Sequence, residues 1–208
     1  MDGVFMRKYG KRIGICLLIA AVCWTGGLLR DRQMLHNELI RLHVVGASDS
    51  AEDQAVKLQV RDAVLESLET ELQNLMDADA AMAYLQENLP KIESAANSFL
   101  ESAGIADRVQ VCLTREAFPA RLYDTFALPS GVYQTLRIVI GAGEGRNWWC
   151  VAFPALCMGA TTEDFEAVAS SAGFSEALTA ALESDEDYEI RFYLLDLLGR
   201  IENLLRKG

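Results

Sequence analysis

Apolar and polar positions along the chain alternate in two distinct rhythms. In residues 39–45 (LIRLHVV), Ile40, Leu42 and Val44 alternate with Arg41 and His43, which predicts a half-buried strand with one polar face. Gly46 ends it. Ser48-Asp49-Ser50 then opens a helix, with Asp53 three residues after Ser50 as in a capping box with a shortened acid. That helix runs to about Met76 on a stripe of Val56, Val60, Val64, Leu68, Leu72 and Leu75. After Asp77 to Asp79, a second helix carries Met82, Leu85, Leu89, Ile92, Ala96 and Phe99 to near Gly104, with Pro90 as a kink or a fresh start. The two form a helical hairpin whose stripes need a surface to cover.

A period of two then returns. Val109, Val111 and Leu113 predict a strand, and residues 121–128 a short or irregular one after Phe118-Pro119. Pro129-Ser130-Gly131 has turn chemistry. Residues 132–140 (VYQTLRIVI) and 148–153 (WWCVAF) are strong strands around a glycine-rich loop, Gly141 to Asn147, and predict an antiparallel hairpin. Beyond Pro154 the chain reads as acidic and partly linker-like over 159–186, with a short helix near Glu176 to Leu182. A final helix over about 187–206 places Ile190, Leu194, Leu197, Ile201 and Leu204 on one face. The fold class expected is α+β: an antiparallel or mixed sheet of about four strands, packed by the helical hairpin and the C-terminal helix.

The start of the chain follows neither rhythm. Ile13 to Leu29 are seventeen residues without a charge, preceded by Arg7, Lys8, Lys11 and Arg12. This order matches an export signal or a signal anchor, and as a helix it spans about 25 Å, near the minimum for a bilayer. No A-x-A-like cleavage site is evident, so a cleaved signal and an uncleaved anchor both fit. The expected organisation is residues 1–30 as export device and 31–208 as one extracytoplasmic domain. Charge sharpens that split. The 208 residues net −11, but residues 31–208 hold 14 bases against 29 acids, a net of −15. So acidic a surface disfavours nucleic acid and anionic lipid headgroups as partners.

The chemistry on offer is sparse. H-E-x-x-H, G-x-S-x-G and G-x-x-x-x-G-K-[ST] are absent. Gly141, Gly143 and Gly145 are followed by a strand and not by the helix N-terminus that a phosphate cradle uses. Of five Cys, Cys16 and Cys23 lie in the apolar segment; Cys150 and Cys157 could form a disulfide across a bend, with Cys112 left as a buried strand residue, and the spacing of the pair does not suit zinc. No cofactor or metal is expected. His43 with Cys150, or with Asp49 and a serine, keeps open an extracytoplasmic Cys or Ser hydrolase acting on the cell envelope. Asp53 and Lys57 have the spacing of an i,i+4 ion pair. Trp148 and Trp149 are adjacent, so a strand points them to opposite faces: one into the core, the other covered by the C-terminal helix or exposed as an anchor for a partner.

Three stretches together resemble the stage II sporulation protein R family of endospore-forming Firmicutes. They are Ile40 to Asp62 (IRLHVVGASDSAEDQAVKLQVRD), Pro129 to Cys157 with PSGVY and then IGAGEGRNWWCVAFPALC, and the weaker IRFYLLDLL at the start of the last helix. Ala47, Asp124 and Ala155 depart from the family's usual Asn, Gly and Pro. The resemblance implies a non-enzymatic signal, made in the forespore and exported to the space between forespore and mother-cell membranes. There it would activate a membrane-embedded aspartic protease of the mother cell that processes the sigma-E precursor. Candidate contacts with that protease are Arg41, His43, Ser48, Asp49, Asp53, Arg61, Asn147, Trp148 and Trp149.

Overall fold

A computed structural model of the chain describes residues 2–75, 77–154, 156, 162–183 and 190–207. The helix α1 (Asp2–Glu38) leads directly into β1 (Ile40–Val45). The helical hairpin follows as α2 (Ala51–Gln73) and α3 (Ala78–Ser102), and Pro90 sits inside an unbroken α3. Both hairpin helices have side-chain caps. Ser50 accepts from the Asp53 amide at 3.0 Å and Asp77 from the Ala80 amide at 2.8 Å, each worth about 1 kcal/mol. Then come β2 (Val109–Phe118), the short β3 (Arg121–Leu122) and β4 (Ala127–Leu128), β5 (Gly131–Ile140) and β6 (Asn147–Phe153). The chain closes with α4 (Thr162–Ser171), α5 (Glu176–Leu182) and α6 (Ile190–Lys207).

The fold is α+β with a mixed four-stranded sheet, ordered β2-β5-β1-β6, while β3 and β4 pair separately. This order overturns the expected hairpin of β5 with β6. β1 lies between them, parallel to β5 (Leu42 opposite Leu136) and antiparallel to β6 (Leu42 opposite Cys150). The glycine-rich loop makes the crossing feasible by passing over the end of β1, where the Gly145 amide donates to the Gly46 carbonyl at 2.9 Å. A Cβ on Gly145 would stand 2.3 Å from the Ser48 carbonyl oxygen, so only glycine allows that approach. As a central strand β1 is buried at all six positions, not half-buried.

Each face of the sheet carries its own core. Ile40, Leu42, Val44, Leu136 and Ile138 meet the hairpin stripe (Val60, Val64, Leu68, Leu72, Leu85, Ile92, Ala96), as the periodicity predicted. On the other face, Tyr133, Val151 and Phe118 pack with Leu28 and Leu35 of α1 and Leu39 just after it, with Phe126 and Leu128, and with Phe165, Leu178, Phe192 and Leu195. α1 therefore runs through residue 30, the expected boundary, and its last turns belong to this second core. Its earlier part differs: residues 12–26 are exposed, and α1 is the one helix among the described residues long and apolar enough to cross a membrane. Part of the stretch taken for a linker is α4, which buries Phe165 and Ala169.

The C-terminal helix presents the opposite face from the one expected. Phe192, Leu195 and Asp196 are buried, whereas Ile190, Leu197, Ile201 and Leu204 are exposed. Backbone contact decides this orientation. The Ser130 amide donates to Asp196 Oδ1 at 2.9 Å, and the Ser130 hydroxyl donates to the Asp196 carbonyl at 2.8 Å. A Cβ on Gly199 would lie 1.5 Å from the Ser130 carbonyl oxygen, so α6 can approach this closely only through glycine. Gly199→Ala is expected to lose about 3 kcal/mol of stability by overpacking, measured by urea unfolding. Gly26→Ala, with nothing within 4 Å of the added carbon, is expected not to destabilise the protein.

Candidate functional site

Because cross-strand partners share a face, the register sorts the candidate residues. Trp149 stands opposite His43 and Trp148 opposite Val44, so the tryptophans point to opposite faces as expected. Both are half-buried: the Arg61 guanidinium lies 4.8 Å from the centre of the Trp148 ring, and that of Arg121 4.1 Å from Trp149, which packs against the second core. Cys150 stands opposite Leu42, on the hairpin side of the sheet, with His43 on the other side. The strand therefore separates the thiol from the imidazole that a Cys-His hydrolase would need beside it. Cys150 is buried, Cys112 is exposed on β2 and not buried as expected, and Cys157 lies outside the described residues.

Arg41 is 0% exposed. Its Nε donates to the Cys150 carbonyl at 3.0 Å and its Nη2 to the Tyr123 hydroxyl at 2.6 Å. The guanidinium carbon lies 4.4 Å from the centre of the Phe118 ring and 5.3 Å from that of Tyr133, and Nη1 has no hydrogen-bond partner. Among the described residues no carboxylate forms an ion pair with it. The aromatic faces and two acceptors offset the cost of burying the charge, each aromatic contact by about 0.5–2 kcal/mol. Tyr133 is fully buried and donates to the Pro129 carbonyl at 2.7 Å; burial pushes its phenol well above the ordinary range. Arg41 thus holds the β3–β4 segment against the sheet and does not itself present a surface.

His43, two residues on, begins a polar network. Its Nδ1 lies 2.6 Å from Glu116 Oε2 and its Nε2 2.9 Å from Asn147 Oδ1. The other Glu116 oxygen accepts from Arg137 Nη1 at 2.6 Å. Burial alone would raise the Glu116 carboxyl, but the hydrogen bonds and charges of His43 and Arg137 outweigh it and hold the group below its ordinary value. Arg137 lies on a predicted strand, but its partner Glu116 falls beyond Leu113, where the apolar alternation ends the first strand after the hairpin. It runs to Phe118, and the alternation Cys112, Thr114, Glu116 carried the signal.

The remaining candidates form a clamp at the end of the sheet. The Ser48 hydroxyl donates to Asp53, Asp49 Oδ1 accepts from the Arg146 amide at 2.7 Å, and Lys57 Nζ donates to the Arg146 carbonyl at 2.9 Å and to Gln54 Oε1 at 2.6 Å. Lys57 is held by these carbonyls in place of the expected ion pair with Asp53. Desolvation, with Arg146 and Arg61 nearby, lowers its pKa. Asp49 and Arg146 remain largely open to solvent. The structure therefore brings His43, Asn147 and Trp149 together, joins Ser48, Asp49 and Asp53 beside them, sets Arg61 with Trp148 across the sheet, and buries Arg41 underneath. Among the described residues no group of three or more His, Cys, Asp or Glu side chains is placed to hold a metal ion.

The stretch that builds β1, the clamp, the glycine-rich loop and β6 is also what known proteins share. The family model described as Stage II sporulation protein R matches residues 36–163. The chain belongs to this family. A curated relative, stage II sporulation protein R of Bacillus subtilis (strain 168), is 34% identical over 124 residues, which cover 60% of this chain and 55% of the relative. The chain thus spans about half the length of the curated relative it matches. No solved structure matches. Every candidate residue above lies inside the span matched by the stage II sporulation protein R model.

Replacing Glu116 by Gln is expected to cost about 1.5–3 kcal/mol, through loss of charge-assisted hydrogen bonds to His43 and Arg137. Because the folded carboxyl titrates below its ordinary value of 4.5, its contribution is complete above that pH and disappears as pH falls through the lower folded value. Urea unfolding from pH 7 downward should therefore show the gap between wild type and Glu116→Gln closing only below pH 4.5.

Proposed function

We propose that the chain is an exported signal of sporulation, made in the forespore and delivered across its membrane by the basic and apolar start of α1. In the space between the two membranes it acts on a membrane-embedded aspartic protease of the mother cell, which then processes the sigma-E precursor. The observation that carries this reading is the family match over residues 36–163, which takes in both the clamp and the polar network. The apolar stretch at the start of α1 and the net charge of −15 beyond residue 30 fit a soluble, acidic domain on the far side of a membrane.

In this reading the protein works as a ligand and not as a catalyst. It shifts the protease toward its active state by binding that state more tightly. The contact surface is the clamp end of the sheet: exposed Asp49 and Arg146, Asn147, and the rims of Trp148 with Arg61 and Trp149 with Arg121. Arg41, His43, Ser48 and Asp53 support it from below. Half-buried tryptophans beside arginines are the residue types that concentrate binding energy at interfaces.

The test is cleavage of the sigma-E precursor by the protease reconstituted in lipid vesicles, with and without the full chain supplied on the extracytoplasmic side. Cleavage is expected to require the chain, and the double variant Asp49→Ala/Trp148→Ala to lower it about tenfold, the equivalent of about 1.4 kcal/mol, with circular dichroism unchanged. Equal cleavage with and without the chain would overturn the function. Full cleavage with the double variant would overturn the surface alone.

A further inference from the structure

The sheet ends in two edge strands, and the edge at β2 is closed over only part of its length. β2 pairs with β5 from Val109 to Phe118 without a register shift, so alternate residues turn both amide and carbonyl away from β5. Side-chain partners identify these residues. Asn97 of α3 accepts from the Val109 amide at 2.9 Å and donates to its carbonyl at 3.2 Å, and Glu93 accepts from the Val111 amide at 3.0 Å. The outward set is therefore Val109, Val111, Leu113, Arg115 and Ala117. Past Val111 the cover from α3 stops. Among the described residues the amides and carbonyls of Leu113 and Ala117 and the amide of Arg115 have no partner. The Arg115 carbonyl has only the exposed Arg206 guanidinium, at 3.3 Å. Leu113 is half-buried, and Arg115 and Ala117 are exposed.

An edge left open in this way is a template for one more strand. Charge and space choose which strand it takes. Arg115 and Arg206 form no ion pair among the described residues, and Arg200, with its side chain 68% exposed, gives only its Nε to Asp196. Three arginines thus border one stretch of a domain that nets −15. Just past Ala117 the edge opens into a cleft of about 600 Å³, lined by Ala117, Pro119, Ala120, Arg200, Asn203 and Leu204, with room for side chains of an added strand. A second copy of β2 is the wrong occupant, because it would bring its own Arg115 into this basic stretch, and like charges across a strand pair destabilise it.

We propose that the β2 edge from Leu113 to Ala117 accepts an extended acidic segment of a partner protein as a fifth strand. Its main chain pairs with the outward amides and carbonyls, and its carboxylates meet Arg115, Arg200 and Arg206. β2 starts beside the glycine-rich loop, where the Gly141 amide donates to the Arg108 carbonyl, and runs away from the clamp. This stretch therefore lies at the far edge of the sheet from β6 and toward its other end. It is a second surface, independent of the one proposed above for the protease.

The test uses the full chain in mild detergent and a short fluorescein-labelled peptide alternating Glu and Thr, followed by anisotropy. The peptide is expected to bind, less tightly as salt rises. A peptide alternating Glu and Pro carries the same charge but cannot join a ladder, and one alternating Lys and Thr carries the opposite charge; each should bind at least about tenfold more weakly. Arg115→Pro removes an outward amide and a charge, which an edge strand tolerates, and should weaken binding at least about tenfold with circular dichroism unchanged. Arg115→Ala, which keeps the amide, should weaken it about threefold. Should Arg115→Pro fail to fold, Ala117→Pro removes an outward amide at no cost in charge and should again weaken binding. Equal affinity for the Glu-Pro peptide would show attraction by charge alone and overturn the proposal. So would no binding of the Glu-Thr peptide, or a dimer of the chain in sedimentation that Arg115→Pro dissolves, which would put a second copy on the edge.

Discussion

The rest of the structure depends on burying a strand that carries a guanidinium and an imidazole on one of its faces. β1 is paired on both edges and covered on both sides, so Arg41 and His43 must be satisfied inside the protein. Each is solved differently. Arg41 takes two uncharged acceptors and aromatic walls; His43 takes a carboxylate shared with an arginine and an amide at the sheet's end. The first solution draws Tyr123 and the β3–β4 segment onto the sheet. The second ties β2, β5 and β6 to β1 through side chains as well as through the backbone ladder. Residues that by type suggest a surface site are thus largely what fixes the shape of that site.

This division separates what the residue pattern made legible from what it hid. The helical hairpin, its first cap at Ser50 and its buried stripe were legible locally, because those helices have a single apolar face and a single sheet face to meet; the cap at Asp77 was read only as a break. The order of the strands did not. The residues of β5 and β6 alternate as hairpin partners would, and the insertion of β1 between them depends on the Gly145 approach to Ser48, a contact between segments nearly a hundred residues apart. The short helix at Glu176 to Leu182 was visible, but α4 was obscured by the acids around Phe165 and Ala169.

The last helix is the instructive misreading. It has two apolar faces, and counting hydrophobic positions favours the one that points outward. A glycine in the middle of LLGRI, three residues after an aspartate, was the available clue: mid-helix glycine signals close approach of another backbone. The candidate site was legible in composition but not in arrangement. Trp148 and Trp149 divided between faces as strand geometry requires. The role of Glu116 as the bridge between His43 and Arg137 needed the true length of β2.

One feature of α1 bears on how far the protein can act. The helix continues without a break from its exposed apolar stretch to Leu28 and Leu35 in the second core. No flexible tether separates the two. A domain on a disordered linker sweeps a volume that grows with linker length. A domain whose own core includes the last turns of its apolar helix is a rigid mast, with its height and tilt set by that helix. While that segment sits in a bilayer, the clamp end of the sheet is confined to a thin shell at fixed distance from the lipid. The length of that helix, and not the chain's flexibility, then sets how far from the lipid the domain reaches.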